Sequence, residues 1–354
     1  MAEQNRGTPP SRRRVLTGAL AAAAASTVIG APAIVRAQSR TLVTTGYGGL
    51  HERHFRPAVI EPFEKMTGAK VEIKYGAPGW LPSAIVNRNN PEIDVAFLPL
   101  PIAMKAIQTR GVFLDLTPEL IPNLAQVPPI FYEEYDRKAV GFNYAAYGIG
   151  YRTDLIKAAP VSWGELWNPA YAGKIVLPDI TAGYFHESII LSSLAHGGSQ
   201  TDLDLAFDAL KKLKPGLLRI YKTSAEPIPL FQRGEAIIGG FGSGRTYETK
   251  DTGVPVDFVS PREGAPVGIL SFHVARNTRK RDLALQYVDY AMSREAQEAF
   301  CNAIEYGPCN STAKLRGRAL ERVPPLDKLL RIEWSLVNPL MSVMEERWLK
   351  EIAS

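Results

Sequence analysis

The chain has 354 residues, of which 45% are hydrophobic, so it is long and apolar enough to bury the cores of two domains. It carries 41 Lys and Arg residues against 36 Asp and Glu residues, but the first 37 residues hold five of the arginines and one of the acids, which leaves 36 against 35. Because the balanced remainder contains no block of Lys and Arg, we expect no nucleic-acid partner.

The first 37 residues predict an export signal. A polar start leads to Arg12-Arg13-Arg14, then to a mild apolar run over residues 17–29, and then to Ala37. This order is typical of a twin-arginine signal peptide, and we place the cleavage after Ala37. The alternative is an uncleaved membrane anchor, but the apolar run is short and mostly alanine. We therefore expect a periplasmic protein.

The next part of the chain alternates between strand and helix patterns. Gly111 is expected to cap the last helix of this series. The predicted elements are a strand over 41–45, a glycine-rich turn over 46–49, a helix over 55–66, a strand over 70–75, a helix over 81–87, a strand over 93–98 and a helix over 103–110. The alternation predicts a sheet covered by helices on both faces.

A proline-rich passage over 118–129 separates this unit from a second α/β unit. Extended segments over 139–144 and 148–152 form the first predicted crossing between the units, and the extended segment 268–276 returns the chain. The remaining predicted elements are strands over 174–177, 236–239 and 254–259, and helices over 187–194, 202–213, 229–234, 280–292, 294–303 and 341–352. Two α/β units joined by such crossings predict a hinge, with a small-molecule cleft between the units.

Several motifs in the sequence resemble one protein family. The segment WGELWNPAYAGK, from Trp163 to Lys174, is similar to the W-x-x-L-W-x-P-x-Y-x-G-K pattern of periplasmic solute-binding proteins that serve ABC importers. Further matches stand in family order: FEKMTG at 63–68, IDV at 93–95, GIGY at 148–151, FQRGEAI at 231–237 and EYGP at 305–308. The receptors for polyamines and for iron(III) are the most similar group.

The resemblance implies an α/β, two-lobed periplasmic-binding-protein fold of type II. We expect the first lobe over residues 38–145 and 270–310, and the second over 146–269 and 311–354. The resemblance also implies a small solute and a membrane permease as partners, without catalysis. We expect a monomer with no cofactor.

The sequence departs from both subgroups at the positions that would bind their ligands. The resemblance implies two acidic residues in the second lobe of a polyamine receptor and a W-x-D motif after the second crossing. Ile180, Gly183, Gly268 and Leu270 stand at those positions here. Burying ammonium groups without carboxylates would carry a large desolvation cost. Polyamine binding therefore stays an alternative and not the main hypothesis.

Iron(III) binding is a second alternative, because the iron receptors present adjacent tyrosines whereas Tyr184 stands alone here. His51 and His54 form an H-x-x-H spacing, but two imidazoles without a further ligand are a weak metal signal, so solvated or hydrogen-bonded histidines are the favoured interpretation. An exported hydrolase is a third alternative. The sequence contains neither a G-x-S-x-G elbow nor an H-E-x-x-H pair.

Candidate ligand-binding residues occur in the first lobe and at the first crossing. Tyr47 and Gly48 follow the first strand, where an ordinary tight turn is the alternative role. Trp80 lies in a loop where its ring could cover a ligand or pack on its own lobe. At the first crossing the resemblance implies an aromatic contact, for which we favour Tyr144 over Tyr147.

The second lobe supplies the candidates for binding an anionic group. Thr181 and Tyr184 lie between a strand and a helix, and N-capping is the alternative role for Thr181. Ser243 and Arg245 belong to the motif FGSGR, whose glycine backbone, hydroxyl and guanidinium suit a carboxylate. The alternative for Arg245 is a structural ion pair with an acid such as Glu248. We therefore expect a carboxylate-bearing or zwitterionic solute, with an amino-acid-like one favoured.

Cys301 and Cys309 are the two cysteines of the chain. In an oxidising compartment, two cysteines this close in sequence predict a disulfide that closes a short loop. Two buried thiols are the alternative.

Overall fold

The computed structural model describes residues 40–353, without the side chains of residues 77–80, 105 and 134. The predicted signal peptide over residues 1–37 therefore lies outside the described residues. Within the described range, no helix has both the length and the apolar character needed to cross a membrane.

The strands lie close to the predicted segments, with two strands that were not predicted. In chain order they are β1 Thr41–Gly46, β2 Lys70–Tyr75, β3 Val95–Pro99, β4 Val140–Arg152, β5 Ile175–Pro178, β6 Leu217–Tyr221, β7 Ile238–Gly242, β8 Val256–Val259, β9 Val267–Val274 and β10 Gly307–Pro308. The unpredicted strands are β6, which pairs with β5 at the end of the sheet, and the two-residue β10, which pairs with β4.

The α-helices are α1 Leu50–Phe55, α2 Glu61–Thr67, α3 Ala77–Val86, α4 Leu100–Gln108, α5 Phe185–Leu194, α6 Leu203–Leu213, α7 Pro227–Arg233, α8 Ser243–Asp251, α9 Arg281–Ala291, α10 Arg294–Ile304, α11 Gly317–Arg322, α12 Trp334–Val337 and α13 Met341–Glu351. A π-helical turn, Arg56–Ile60, joins α1 to α2, so helical structure begins five residues before the predicted start. Single-turn 3₁₀ helices occupy much of the proline-rich passage.

The prediction that Gly111 caps α4 was wrong. The cap residue is Thr109, which has an extended backbone, and Gly111 lies in the following turn with a φ of 86°. A positive φ is a conformation that glycine adopts without steric cost, so this glycine permits the turn and does not end the helix.

Strand β4 connects two sheets. Residues 140–146 pair with β9 in the first sheet, and residues 147–152 pair with β7 and β8 in the second. The first sheet has the order β2-β1-β3-β9-β4, and the second continues through β7, β5 and β6. Both crossings predicted from the sequence therefore correspond to strands, and they lie side by side.

Three passes of the chain meet where β4 changes sheets. The Tyr147 N–H donates to the Pro266 carbonyl at 2.9 Å, and the Val267 N–H donates to the Leu330 carbonyl at 3.0 Å. These backbone bonds hold the passes together while leaving a lobe on either side, which is the arrangement expected of a hinge.

Buried apolar side chains form separate cores on the two sides of this hinge. The first core includes Phe97, Phe142 and Phe300, and the second includes Ile189, Phe207 and Trp348. The first lobe and the second lobe are named here by these cores. The predicted lobe boundaries stay a prediction; Val323 packs in the first core although the boundary at residue 310 assigned it to the second lobe.

Candidate functional site between the two lobes

Helix α8 brings the FGSGR motif to the point where β4 changes sheets. Strand β7 ends at Gly242, which is the N-cap of α8, so Ser243, Gly244 and Arg245 form its first turn. The backbone N–H of Ala146 donates to the Ser243 hydroxyl at 3.3 Å. The positive end of the helix dipole and the unpaired N–H groups of this turn therefore lie beside the hinge.

Tyr184 reaches from the second lobe over the second crossing. Its ring stacks on Tyr147 with the ring centroids 4.7 Å apart, and a Cβ added to Gly268 would overlap it. Tyr184 is the N-cap of α5 and has a φ of 68°. Such a backbone is uncommon for a tyrosine and persists only where the surroundings fix it, and strained residues of this kind cluster at binding sites.

A second contact joins α8 to the first lobe. Tyr306 lies in the turn between α10 and β10, and its ring is so close to Gly244 that an added Cβ would overlap it. The turn is placed by α10, whose C-cap Glu305 adopts a left-handed conformation with a φ of 59°. Glycine at 244 therefore allows the two lobes to approach each other.

Arg245 forms the ion pair that was the alternative role for this residue. Its Nη1 atom donates to Glu248 Oε2 at 2.6 Å, and both side chains are half-buried. The guanidinium also acts on the first lobe: it adds to the effect of burial in lowering the pKa of His51, and it opposes the rise in the pKa of Tyr306 that burial causes. The ion pair and a position facing the first lobe are therefore compatible.

His51 and Tyr47 form the first-lobe side of this contact. Their rings pack edge to face with the centroids 5.5 Å apart, and His51 also contacts Phe55, Phe97 and Phe300. Among the described residues, neither ring nitrogen of His51 has a hydrogen-bond partner, and the Tyr47 hydroxyl has none either. His51 is thus neither solvated nor hydrogen-bonded, which corrects the interpretation made from its H-x-x-H spacing.

We call five residues the cleft cluster: Tyr47, His51, Tyr184, Arg245 and Tyr306. Besides the contacts given above, Tyr184 is close enough to Tyr47 and Tyr306 for these neighbours to raise its pKa, although burial is the larger cause. The cluster combines hydroxyl groups, an imidazole and a guanidinium within an aromatic surface. It can therefore bind a small polar solute through a few directed groups.

Two other candidate residues, Tyr144 and Thr181, make their contacts outside the cleft cluster. Tyr144 is buried in the first core with its ring against Gly307, and burial raises its pKa to about 12. Thr181 is exposed and donates to the Lys222 carbonyl, so it does not cap α5. Their role in binding stays a prediction.

Gly48 is exposed beside Tyr75 and follows Tyr47 of the cleft cluster in sequence. The prediction that Trp80 lies in a loop was wrong, because it belongs to helix α3; its side chain lies outside the described residues. Binding by Gly48 or Trp80 likewise stays a prediction.

Sequence reasoning missed Tyr306 and His51 as site residues. Tyr306 lies within the matched segment EYGP, which offered a signal, whereas His51 was considered only as a metal ligand. Within residues 40–353, no group of three or more His, Cys, Asp and Glu side chains could hold a metal ion.

The disulfide predicted between Cys301 and Cys309 is not formed in the structure. Both cysteines are free thiols buried in the first core. Burial raises the pKa of each thiol, which disfavours the thiolate that disulfide exchange requires.

A group of charged residues joins the lobes beside the cleft cluster, and we call it the latch. Arg322, on α11, donates to Asp251 of α8 at 2.8 Å and to Glu305 at 2.8 Å. Arg318 pairs with the same two carboxylates at 3.0 and 3.1 Å. The Arg322 guanidinium also lies 4.9 Å from the centre of the Tyr247 ring. Because α11 packs with the first lobe and α8 with the second, these contacts span the two lobes.

Comparison with known proteins places the chain among receptors for solutes. The sequence profile of the bacterial extracellular solute-binding protein family matches residues 58–322. The spermidine/putrescine-binding periplasmic protein of Escherichia coli (strain K12) is 23% identical over 267 residues, which are 73% of this chain and 75% of that protein. The gamma-aminobutyric acid-binding protein of Pseudomonas aeruginosa is 25% identical over 288 residues, 78% of this chain and 79% of that protein.

A solved structure of a solute-binding protein has a similar fold. A putative extracellular solute-binding protein from Bordetella parapertussis superposes with a TM-score of 0.76 and 27% sequence identity, covering 88% of this chain and 99% of that one. The predicted two-lobed α/β fold is therefore confirmed.

Proposed function

Because the chain belongs to the family of bacterial extracellular solute-binding proteins, we propose that it captures a small solute bearing a carboxylate and delivers it to the membrane permease of an ABC importer. A zwitterionic, amino-acid-like solute is favoured. The protein acts in the periplasm, performs no chemistry on the solute, and works as a monomer. The arginine pattern at residues 12–14 supports export by the twin-arginine route.

The position of Arg245 carries this proposal. Arg245 lies in the first turn of α8, whose N–H groups have no partner within the helix. Its guanidinium faces His51 and Tyr306 of the first lobe. A guanidinium beside a helix N-terminus favours an anion twice over, by charge and by directed donors. Ser243 adds a hydroxyl to the same turn.

Binding would act by stabilising the closed arrangement of the lobes. Arg245 and Ser243 belong to the second lobe, whereas Tyr47, His51 and Tyr306 belong to the first. A solute that contacts both sets binds the closed state more tightly than the open one, and this difference is what shifts the population. The closed form is the one presented to the permease.

Polyamine binding, suggested by the name of the E. coli relative, has weaker support from the site. Glu187 is an acid whose charge acts on both stacked tyrosines, Tyr147 and Tyr184, and burial raises its pKa, which disfavours the charged carboxylate. A raised pKa makes this carboxyl group a weaker counter-charge for an ammonium group. The Tyr184 ring also covers Gly268, where the resemblance implies the tryptophan of a polyamine site.

Iron(III) binding through tyrosinates has an electrostatic cost in this site. Burial raises the pKa of Tyr47, Tyr184 and Tyr306, so each hydroxyl is held in its protonated form. Arg245 offsets this effect only at Tyr306, where it is the smaller cause.

A binding experiment on Arg245 tests the proposal. A thermal-shift screen of amines, amino acids, organic acids, phosphonates and ferric citrate first identifies the solute, since binding to the folded state raises the melting temperature. Arg245→Gln should then weaken the binding of an acidic or zwitterionic solute by more than about tenfold in calorimetry, because a charge-assisted contact is lost.

Arg233→Gln is the matched control, because Arg233 also pairs with an acid at 2.6 Å but is exposed outside the cleft cluster. The control should bind the solute as the wild type does. If Arg245→Gln binds the solute as tightly as the wild type does, Arg245 does not belong to the site. If only polyamines or only ferric citrate raise the melting temperature in the screen, the proposed solute class is overturned.

A further inference from the structure

His51 is buried, and the described residues of its own lobe give its ring nitrogens no hydrogen-bond partner. It has 7% of its surface exposed, and both ring nitrogens lack a hydrogen-bond partner among the described residues. The neighbouring Tyr47 hydroxyl is in the same state. Buried polar atoms are nearly always hydrogen-bonded, and leaving three of them without partners opposes folding. A group that gives them partners would therefore bind favourably.

The surroundings of His51 show which groups approach the ring from each lobe. Phe55, Phe97 and Phe300 pack against it from its own lobe and offer no hydrogen bond. The charged groups that act on it are Arg245, across the lobe contact, and His54 on its own helix. A solute placed between the lobes would thus meet His51 at one end and Arg245 at the other.

We propose that His51 and Tyr47 bind the amino group of a zwitterionic solute whose carboxylate is bound by Arg245 and the first turn of α8. This inference rests on the proposed function and assigns the first-lobe half of the same site.

The chemistry of the two first-lobe side chains fits an ammonium group. Burial, followed by the charges of Arg245 and His54, lowers the pKa of His51 to about 3, so the imidazole is neutral and one nitrogen is a free acceptor. The Tyr47 oxygen can accept a second hydrogen bond. The aromatic rings around them add attraction for a cation through their faces.

This arrangement also explains how an amino group could bind without the acidic residues of a polyamine site. The neutral acceptors of His51 and Tyr47 hydrogen-bond to the ammonium group. The carboxylate of the same solute lies between the ammonium charge and Arg245. A diamine would instead bring a second positive charge towards Arg245, which like-charge repulsion disfavours. The site therefore selects for a short zwitterion.

The experiment compares paired solutes in the full mature chain. Glycine, β-alanine, 4-aminobutyrate and 5-aminopentanoate are each titrated beside the carboxylate that lacks the amino group, and putrescine is included. For the amino acid that wild type binds most tightly, His51→Phe should weaken binding at least about tenfold, since a hydrogen bond to a charged group is lost. Its effect on the paired carboxylate should be less than about twofold, since that acid makes no such bond.

Two further variants separate binding from folding. Tyr47→Phe removes only a hydroxyl and should lower the affinity for the amino acid in the same selective way. His54→Phe lies one turn further along and should leave both affinities unchanged, which serves as the control. His51→Phe should not lower the melting temperature without solute, because it removes unpartnered nitrogens from an aromatic surface.

The outcomes distinguish the two proposals. If wild type binds an amino acid but His51→Phe weakens the amino acid and the paired carboxylate equally, or weakens neither, the role of His51 is overturned while the proposed function stands. Tighter binding of putrescine than of every amino acid would overturn it as well. If wild type binds a carboxylate but none of the amino acids, this inference is overturned while the proposed solute class stands; if it binds neither, both fail.

Discussion

The two lobes touch at the cleft cluster and at the latch, and these two regions differ in how their polar groups are satisfied. In the latch, Arg322 has two carboxylates and an aromatic ring as partners. In the cleft cluster, His51 and the Tyr47 hydroxyl have no hydrogen-bond partner among the described residues.

The difference assigns distinct roles to the two regions. The latch favours the closed arrangement with the chain's own residues, whatever solute is present. The cleft cluster leaves polar atoms unsatisfied on closing, so closure there becomes favourable only with a solute that supplies the missing bonds. We infer that the latch sets how readily the lobes close and that the cleft cluster sets which solute keeps them closed.

The largest effect is expected from a variant that prevents the contact between the Tyr184 ring and Gly268. Gly268→Ala places a Cβ where the Tyr184 ring lies when the lobes are closed. Overpacking of this kind costs about 1–3 kcal/mol, so solute affinity should fall about 5- to 150-fold. Calorimetry measures the affinity, and small-angle scattering should show a larger radius of gyration with solute present.

Gly183→Ala is the control for that variant. Gly183 lies next to Tyr184, but an added Cβ would meet nothing within 4 Å. It should bind solute as the wild type does. If Gly268→Ala also retained full affinity, the packing of Tyr184 over the crossing would not belong to the bound state.

A smaller effect is expected from weakening the latch. Arg322→Gln removes the charge that Asp251 and Glu305 share, while Arg318 still contacts both. The pairs are partly exposed, so the loss is about 1 kcal/mol, or about fivefold in solute affinity.

The latch effect should shrink at high salt, unlike the effect of His51→Phe. It should also be the same for every solute that binds. Titrations at 0.05 M and 1 M salt with two different solutes check both points. A loss confined to one solute would mean that Arg322 contacts the solute and is not part of a general latch.

The sequence predicted the fold well where local patterns decide it. The strand over 70–75 and the helix over 294–303 follow from alternation, helical spacing and caps, and the structure reproduces them within a residue. Strand β6 was missed because it lies at the sheet edge with half-buried residues, which leaves little pattern to read. Strand β4 was predicted as two segments because its alanines and glycines have weak strand preference, and partners in both sheets supply its pairing.

The site was predictable only in part. Arg245 and Ser243 could be proposed because glycine, hydroxyl and guanidinium are adjacent in sequence, and Tyr184 because it follows a strand. His51 and Tyr306 enter the cleft cluster through packing between lobes, which no local pattern encodes. Tyr144 was preferred to Tyr147, but the two are separated by an odd number of positions, and alternation along β4 turns them to different sides. Only Tyr147 stacks on Tyr184.

The smallest expected effect is the contribution of His51 to the pH dependence of the free energy of unfolding. The folded-state pKa of His51 is lowered to about 3 by burial and by Arg245 and His54, whereas the unfolded chain has the ordinary value near 6.5. The unfolded state therefore binds a proton near pH 6.5 that the folded state does not, so this histidine reduces stability as pH falls. Between pH 8 and pH 6 the reduction is about 0.8 kcal/mol.

Comparison with His51→Phe isolates this contribution. His273 is fully buried with the same direction of shift, but it is hydrogen-bonded to Ser271 and Lys138 and is present in both proteins, so its contribution cancels. Urea unfolding without solute at pH 8 and pH 6 should show a stability difference, variant minus wild type, that grows by about 0.8 kcal/mol on acidification. A difference that stays constant with pH would mean that the pKa of His51 is the same in the folded and unfolded states. At pH 6 His51 would then be mostly a cation, which repels the ammonium group assigned to it.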